Sequence, residues 1–73
     1  MYIATRIHNQ SLGRAYLFET FDEALSKARD IACNILDRDL LEGEFCDLED
    51  HGEVFIEDDH DNHYTFCVGL IEN

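Results

Sequence analysis

Residues 57–63 read Glu-Asp-Asp-His-Asp-Asn-His. Four carboxylates and two imidazoles fall within seven residues, with no lysine or arginine among them. Imidazole with carboxylate is a donor set for zinc and other transition metals. Metal binding at His60 and His63, with Asp58, Asp59 and Asp61 beside them, is therefore the first chemistry to weigh. The spacing argues against it. On a tight hairpin tip consecutive side chains diverge, and only two or three could converge on one ion. The calcium-loop pattern also fails: counted from Asp59, Tyr64 stands where the loop needs its glycine and Leu70 where it needs its bidentate glutamate. No metal and no cofactor is expected.

Catalysis fares no better. The chain has no phosphate-cradling glycine loop, no nucleophile elbow and no paired-histidine zinc helix motif. Its many carboxylates lack the one thing a general acid needs, a cleft that raises its pKa. Cys33, Cys46 and Cys67 are odd in number, widely spaced and form no C-x-x-C pair, so they are expected to be reduced thiols of a cytosolic protein. No stretch approaches the roughly 20 apolar residues of a membrane-spanning helix, and the opening residues lack a signal peptide's basic start and apolar run.

Charge is the informative quantity. Seventeen acids against five bases give a net charge of −12. Residues 1–36 hold four of each and are neutral, whereas residues 37–73 hold thirteen acids and a single base, Arg38. Surfaces tuned for solubility intersperse both signs; here one half carries the whole excess. Nucleic acid and anionic membrane are unsuited as direct partners, since both demand a basic footprint.

The elements that would carry this charge are legible in part. With 73 residues, about 45% of them apolar, the chain is a single small domain with a modest core. Residues 2–8 alternate and are β-branched, residues 9–13 form a turn, and residues 14–19 form a second strand. Thr20 and Glu23 then make a capping box. Apolar residues recur at Phe21, Ala24, Leu25, Ala28, Ile31, Ala32, Ile35 and Leu36, which predicts an amphipathic helix over residues 21–37. Residues 44–48 read as a short strand or an irregular edge. Residues 53–57 and 63–71 read as strands joined by a tip at residues 58–62. The expectation is an α+β fold: an antiparallel sheet of four to five strands with one helix packed on one face, in the order ββαββ or ββαβββ. Such a sheet leaves its other face to solvent or to a partner, and self-association is left open.

Acids recur two or three residues apart at Asp37, Asp39, Glu42, Glu44, Asp47 and Glu49, and again at Glu57, Asp59 and Asp61, with Asp50, Glu53 and Asp58 among them. If these segments are extended, alternate side chains share a face about 6.6–6.8 Å apart. Rows of carboxylates at such intervals imitate the regular charges of a nucleic-acid backbone. A groove that holds phosphates with lysine and arginine would accept them, and the field would speed encounter at low salt. These twelve residues are the expected contact surface for a basic, nucleic-acid-binding protein.

A very short, strongly acidic α+β chain with its charge on one part resembles the small inhibitors of phages and mobile elements, the anti-CRISPR proteins and the anti-restriction DNA mimics. The resemblance is one of size, charge and architecture. It implies a non-enzymatic protein that binds a CRISPR–Cas effector, or another DNA-binding defence complex, and blocks access to DNA. Residues 19–32 (ETFDEALSKARDIA) also resemble the strand-to-helix step of HicB-type antitoxin domains, which would likewise imply a basic partner. The alternatives are a small acidic adaptor or homodimerising module and, behind it, a divalent-metal module. Protonation of His51, His60 and His63 below roughly pH 6.5, the ordinary imidazole range, would add positive charge among the acids and is expected to weaken binding to a basic partner.

Overall fold

A computed structural model of the chain describes residues 1–58 and 60–71. Among these residues there are five strands and two helices, in the order β1 (Tyr2–His8), β2 (Ser11–Leu12), β3 (Tyr16–Phe18), α1 (Phe21–Leu36), α2 (Glu42–His51), β4 (Glu53–Glu57) and β5 (His63–Leu70). The fold is α+β, as expected from the sequence. The sheet is antiparallel, and β1 and β5 are its central strands. β2 and β3 flank β1 on one side, and β4 flanks β5 on the other.

Period-two alternation sets the faces. Val54 and Ile56 of β4 and Tyr64, Phe66 and Val68 of β5 are buried on the helix side with Ala4 of β1. The intervening residues Ile3, Ile7, Glu53, Phe55, Glu57, His63 and Thr65 face the open side. α1 lies over the centre of the sheet. Its Ala24, Ala28 and Ala32, four residues apart, are fully buried and allow close approach to the strands. Phe21, Ile31, Ile35 and Leu36 complete the apolar stripe around them. Thr20 caps the helix by accepting from the Glu23 N–H at 3.2 Å, and its hydroxyl donates back to Glu23 Oε1 at 2.9 Å. The return bond of the capping box therefore goes to the hydroxyl, not to the backbone N–H.

Two expectations are corrected. Residues 44–48 are neither strand nor irregular edge: they form the middle of a second helix, α2. Its N-cap, Leu41, has no side-chain oxygen to offer. Instead Glu44 at the third helical position accepts from the Leu41 N–H at 2.8 Å, half of a capping box. Leu48 is completely buried, and Phe45 packs against the same cluster. Gly52 ends the helix at φ 77°, donating to Leu48 O at 3.0 Å. A Cβ there would stand 2.8 Å from Val68 O, so glycine is required for space as well as for conformation.

The second correction is in the first hairpin. The turn is only two residues, Asn9 and Gln10, both with positive φ (46° and 73°), between the paired His8 and Ser11. This is the hairpin turn whose twist matches the strands. Residues 13–15 then bulge, so the β1 register shifts by one residue between β2 and β3. Gly13 N–H donates to Arg6 O at 2.8 Å and the Thr5 hydroxyl donates to Arg14 O at 3.1 Å, satisfying the bulged backbone.

Candidate functional site

The twelve acids singled out above separate into those that hold the fold and those that do not. Asp58 belongs to the first group. Its Oδ1 accepts from the backbone N–H of His60 at 2.8 Å and of Asn62 at 3.0 Å, and its Oδ2 accepts from Asn62 Nδ2 at 3.0 Å. These bonds, the Asn62 side chain foremost, hold its carboxyl below the usual range. Asn62 in turn accepts at Oδ1 from Asn9 Nδ2 at 3.3 Å and meets His8 Nε2 at 3.0 Å. Asn9 closes the circuit by accepting from the His63 N–H at 2.7 Å and donating its own N–H to His63 O at 2.9 Å. The acidic tip is thus tied to the turn between β1 and β2. Asp59 lies outside the described residues.

Glu44 is committed as well. Arg38 Nη1 and Nη2 donate to its two carboxylate oxygens at 2.9 and 3.2 Å, a bidentate pair. The hydrogen bond from Arg38 is the chief reason its carboxyl is held low, and the Leu41 N–H adds to it. Asp37 is the C-cap of α1 at φ 56°. Asp39 accepts from Cys33 Sγ at 3.1 Å and stands 3.8 Å from Arg29.

The second group is α2's outer surface and the outer side of β4. Glu42, Asp47, Glu49, Asp50 and Glu53 are exposed and have no ion-pair partner among the described residues. Glu57 is exposed, and its one ion-pair partner among the described residues is His63 Nδ1, at 3.4 Å. Asp61 is exposed at the tip with φ 62°. Because residues 42–51 are helical, the alternate-residue row expected for a strand does not exist there. At 100° per residue Glu42 and Glu49 share one flank of α2, Asp50 points away from the core, and Asp47 lies on the flank next to β4. Glu53 and Glu57 do share a strand face, with Phe55 between them.

The cations are elsewhere. Lys27 Nζ and the Arg14 guanidinium sit 4.4 and 5.4 Å from the centre of the Tyr16 ring, at the β3 edge. Arg29 lies over Phe45, 5.1 Å away, between the two helices. The sheet therefore carries a basic and aromatic cluster at one edge and acids at the other.

The two histidines of the tip do not converge. His63 stacks on Phe55 on the open face of the sheet, with ring centres 5.8 Å apart. His60 lines a groove of about 460 Å3 on the helix side with Ile35, Arg38 and Ile56. Among the described residues no three histidine, cysteine or acidic side chains are grouped to hold a metal ion. Two thiols are not activated: burial, with the neighbouring Asp39 carboxylate, pushes Cys33 up, and burial pushes Cys67 up. Among the described residues no helix is long and apolar enough to cross a membrane.

What sequence reasoning missed is Phe55. It is 59% exposed, on a strand whose apolar pattern suggests it should be the mate of Val54 and Ile56. Strict alternation in residues 53–57 is the signal: Val54 and Ile56 face in, so Phe55 must face out. In comparison with known proteins, no family model, curated protein or solved structure matches the chain.

Proposed function

We propose that this protein is a non-enzymatic inhibitor that binds a basic, nucleic-acid-binding protein through its acidic C-terminal half and blocks access to nucleic acid. A CRISPR–Cas effector or another defence complex is the setting that its size, charge and architecture favour. One observation carries the proposal. The only base in residues 37–73, Arg38, is consumed by Glu44, while Glu42, Asp47, Glu49, Asp50 and Glu53 stand exposed on folded elements without countercharge among the described residues. Repulsion among fixed charges is relieved when a cationic surface meets them. The contact surface is α2's outer side with β4, and Glu44 and Asp58 serve it only by holding its shape.

The test is binding to purified CRISPR–Cas effector complexes and other DNA-binding defence proteins across a salt series. Affinity should fall steeply as salt rises, and Glu42→Lys, Glu49→Lys and Asp50→Lys should each weaken it. Salt-independent affinity, or indifference to all three changes, refutes charge mimicry. A second reading, an adaptor that docks through apolar surface, is favoured by Leu12, Leu17 and Phe55, which stand exposed on the uncovered face of the sheet. It predicts the reverse: tolerance of the charge changes, and loss of binding in Leu12→Ser or Leu17→Ser.

A further inference from the structure

The hydrogen-bond phase of the β4–β5 hairpin determines what the outer edge of β4 offers. Val68 N–H donates to Gly52 O at 2.7 Å and Asp58 N–H donates to Asn62 O at 3.1 Å. With Val54 opposite Phe66 and Ile56 opposite Tyr64, the even-numbered residues of β4 direct their main-chain groups at β5. The N–H and C=O groups of Glu53, Phe55 and Glu57 therefore point away from the sheet. These same three residues place their side chains on the open face. β4 is an edge strand, and a groove of about 520 Å3 beside it is lined by Asp47 and His51 of α2 with Glu53, Val54, Phe55 and Thr65.

An unpaired edge is a template for another strand. Resting on the basic-partner reading above, we infer that β4 takes an extended segment of that partner as an added antiparallel strand. The segment alternates basic, apolar, basic on one face. Its main chain would make the ladder with Glu53, Phe55 and Glu57. Its apolar side chain would lie beside Phe55, and its flanking lysines or arginines would lie opposite Glu53 and Glu57, with Asp47 near the groove. A second copy of this chain is a poor occupant. Antiparallel pairing of two β4 strands about Phe55 sets Glu53 against Glu57 at both ends, and like charges directly opposite destabilise a pair. The far edge of the sheet, where Arg14 and Lys27 surround Tyr16, repels a cationic segment.

The probe is the capped peptide Thr-Lys-Thr-Val-Thr-Lys-Thr, with a control of equal composition in which the two lysines are adjacent. Amide hydrogen exchange in the full chain reads the ladder directly. The alternating peptide should slow exchange at Phe55 and Glu57 and bind more tightly than the control. Phe55→Pro removes an outward N–H without touching the bonds to β5, and should weaken binding about tenfold more than Phe55→Ala. A peptide N-methylated at its valine tests the same bond with the protein unaltered, and should lose binding by a similar factor. Equal binding of both peptides, with exchange changing on α2 and not on β4, overturns the strand addition and leaves the acidic-surface reading standing. Binding of neither peptide at low salt overturns both.

Discussion

Arg38 grips Glu44 with two near-parallel hydrogen bonds, and the same carboxylate accepts the first free N–H of α2 at Leu41. One side chain thus joins the loop after α1 to the start of the helix that carries the exposed acids. Both partners are partly solvated, so the ion pair itself is worth well under 1 kcal/mol. The helix-start bond adds about 1 kcal/mol. Glu44→Ala should cost about 1–1.5 kcal/mol in urea unfolding. Arg38→Ala should cost less, and less still in the Glu44→Ala background, where only its bond to Asp39 O at 2.9 Å remains to be lost.

The bonds to Glu44 and those to Asp58 give stability a pH dependence of definite sign. The carboxyls of Glu44 and Asp58 both lie below their ordinary values of 4.5 and 3.8. Depressed carboxyls contribute stability that is present above the unfolded-state value and lost as pH falls through the folded-state value. Melting temperature should therefore be insensitive to these two groups above about pH 5 and should fall below about pH 4. In Glu44→Gln the acid-side fall should be shallower. An unchanged slope in that variant contradicts the assignment.

Glycine positions on α2 separate space from conformation. A Cβ at Gly43 meets nothing within 4 Å, and the residue is helical. Gly43→Ala should therefore stabilise the protein by about 0.5–1 kcal/mol. Gly52→Ala meets both a positive φ and the Val68 carbonyl, and should destabilise by more than about 1 kcal/mol. Thermal unfolding of the pair checks both signs.

Two non-glycine residues in left-handed conformations offer further gains. Gln10 at φ 73° and Asp37 at φ 56° occupy positions where a β-carbon is strained. Gln10→Gly and Asp37→Gly should each raise stability by roughly 0.5–1 kcal/mol. The two sites lie in different loops, so the double variant should show the sum. Asp37→Gly should leave partner affinity unchanged if the residue serves only to end α1.

Charge reversal at Asp58 is a test of the fold, because three donors would lose their acceptor at once. Asn62→Ala should loosen the tip and the Asn9–Gln10 turn together, with faster amide exchange at His60 and His63. Glu42, Glu49 and Asp50 make no such bonds among the described residues, so lysine there should leave unfolding within about 0.5 kcal/mol of the parent.

The contrast between the helices shows what a sequence discloses. α1 carries a side-chain cap and a long apolar stripe, both local signals. α2 is short, has a leucine where a capping oxygen is usual, and alternates acid with other residues in a way that imitates a strand. Its spacing of Phe45 and Leu48, three residues apart, was the helical sign beneath that alternation. The strands β4 and β5 are legible from their period, but which strand lies beside β1 is not, since periodicity names no partner. The acids present the same limit. Glu42 and Glu44 look alike in the sequence, yet only Glu44 lies within reach of Arg38. Asp58 is bound by a residue four positions on, whose own contacts come from the other end of the chain.

The pairing of β1 with β5 has a kinetic consequence. Tyr2 sits opposite Leu70 and His8 opposite Tyr64, so the middle of the sheet joins residues separated by most of the chain. Closing so long a loop comes before any reward from the contacts it makes. On the ribosome, the β1–β5 ladder cannot form until β5 has cleared the exit tunnel. The centre of the sheet therefore closes only after β5 is made, and acidic residues spread through the intervening segment keep the unpaired chain apart from its neighbours.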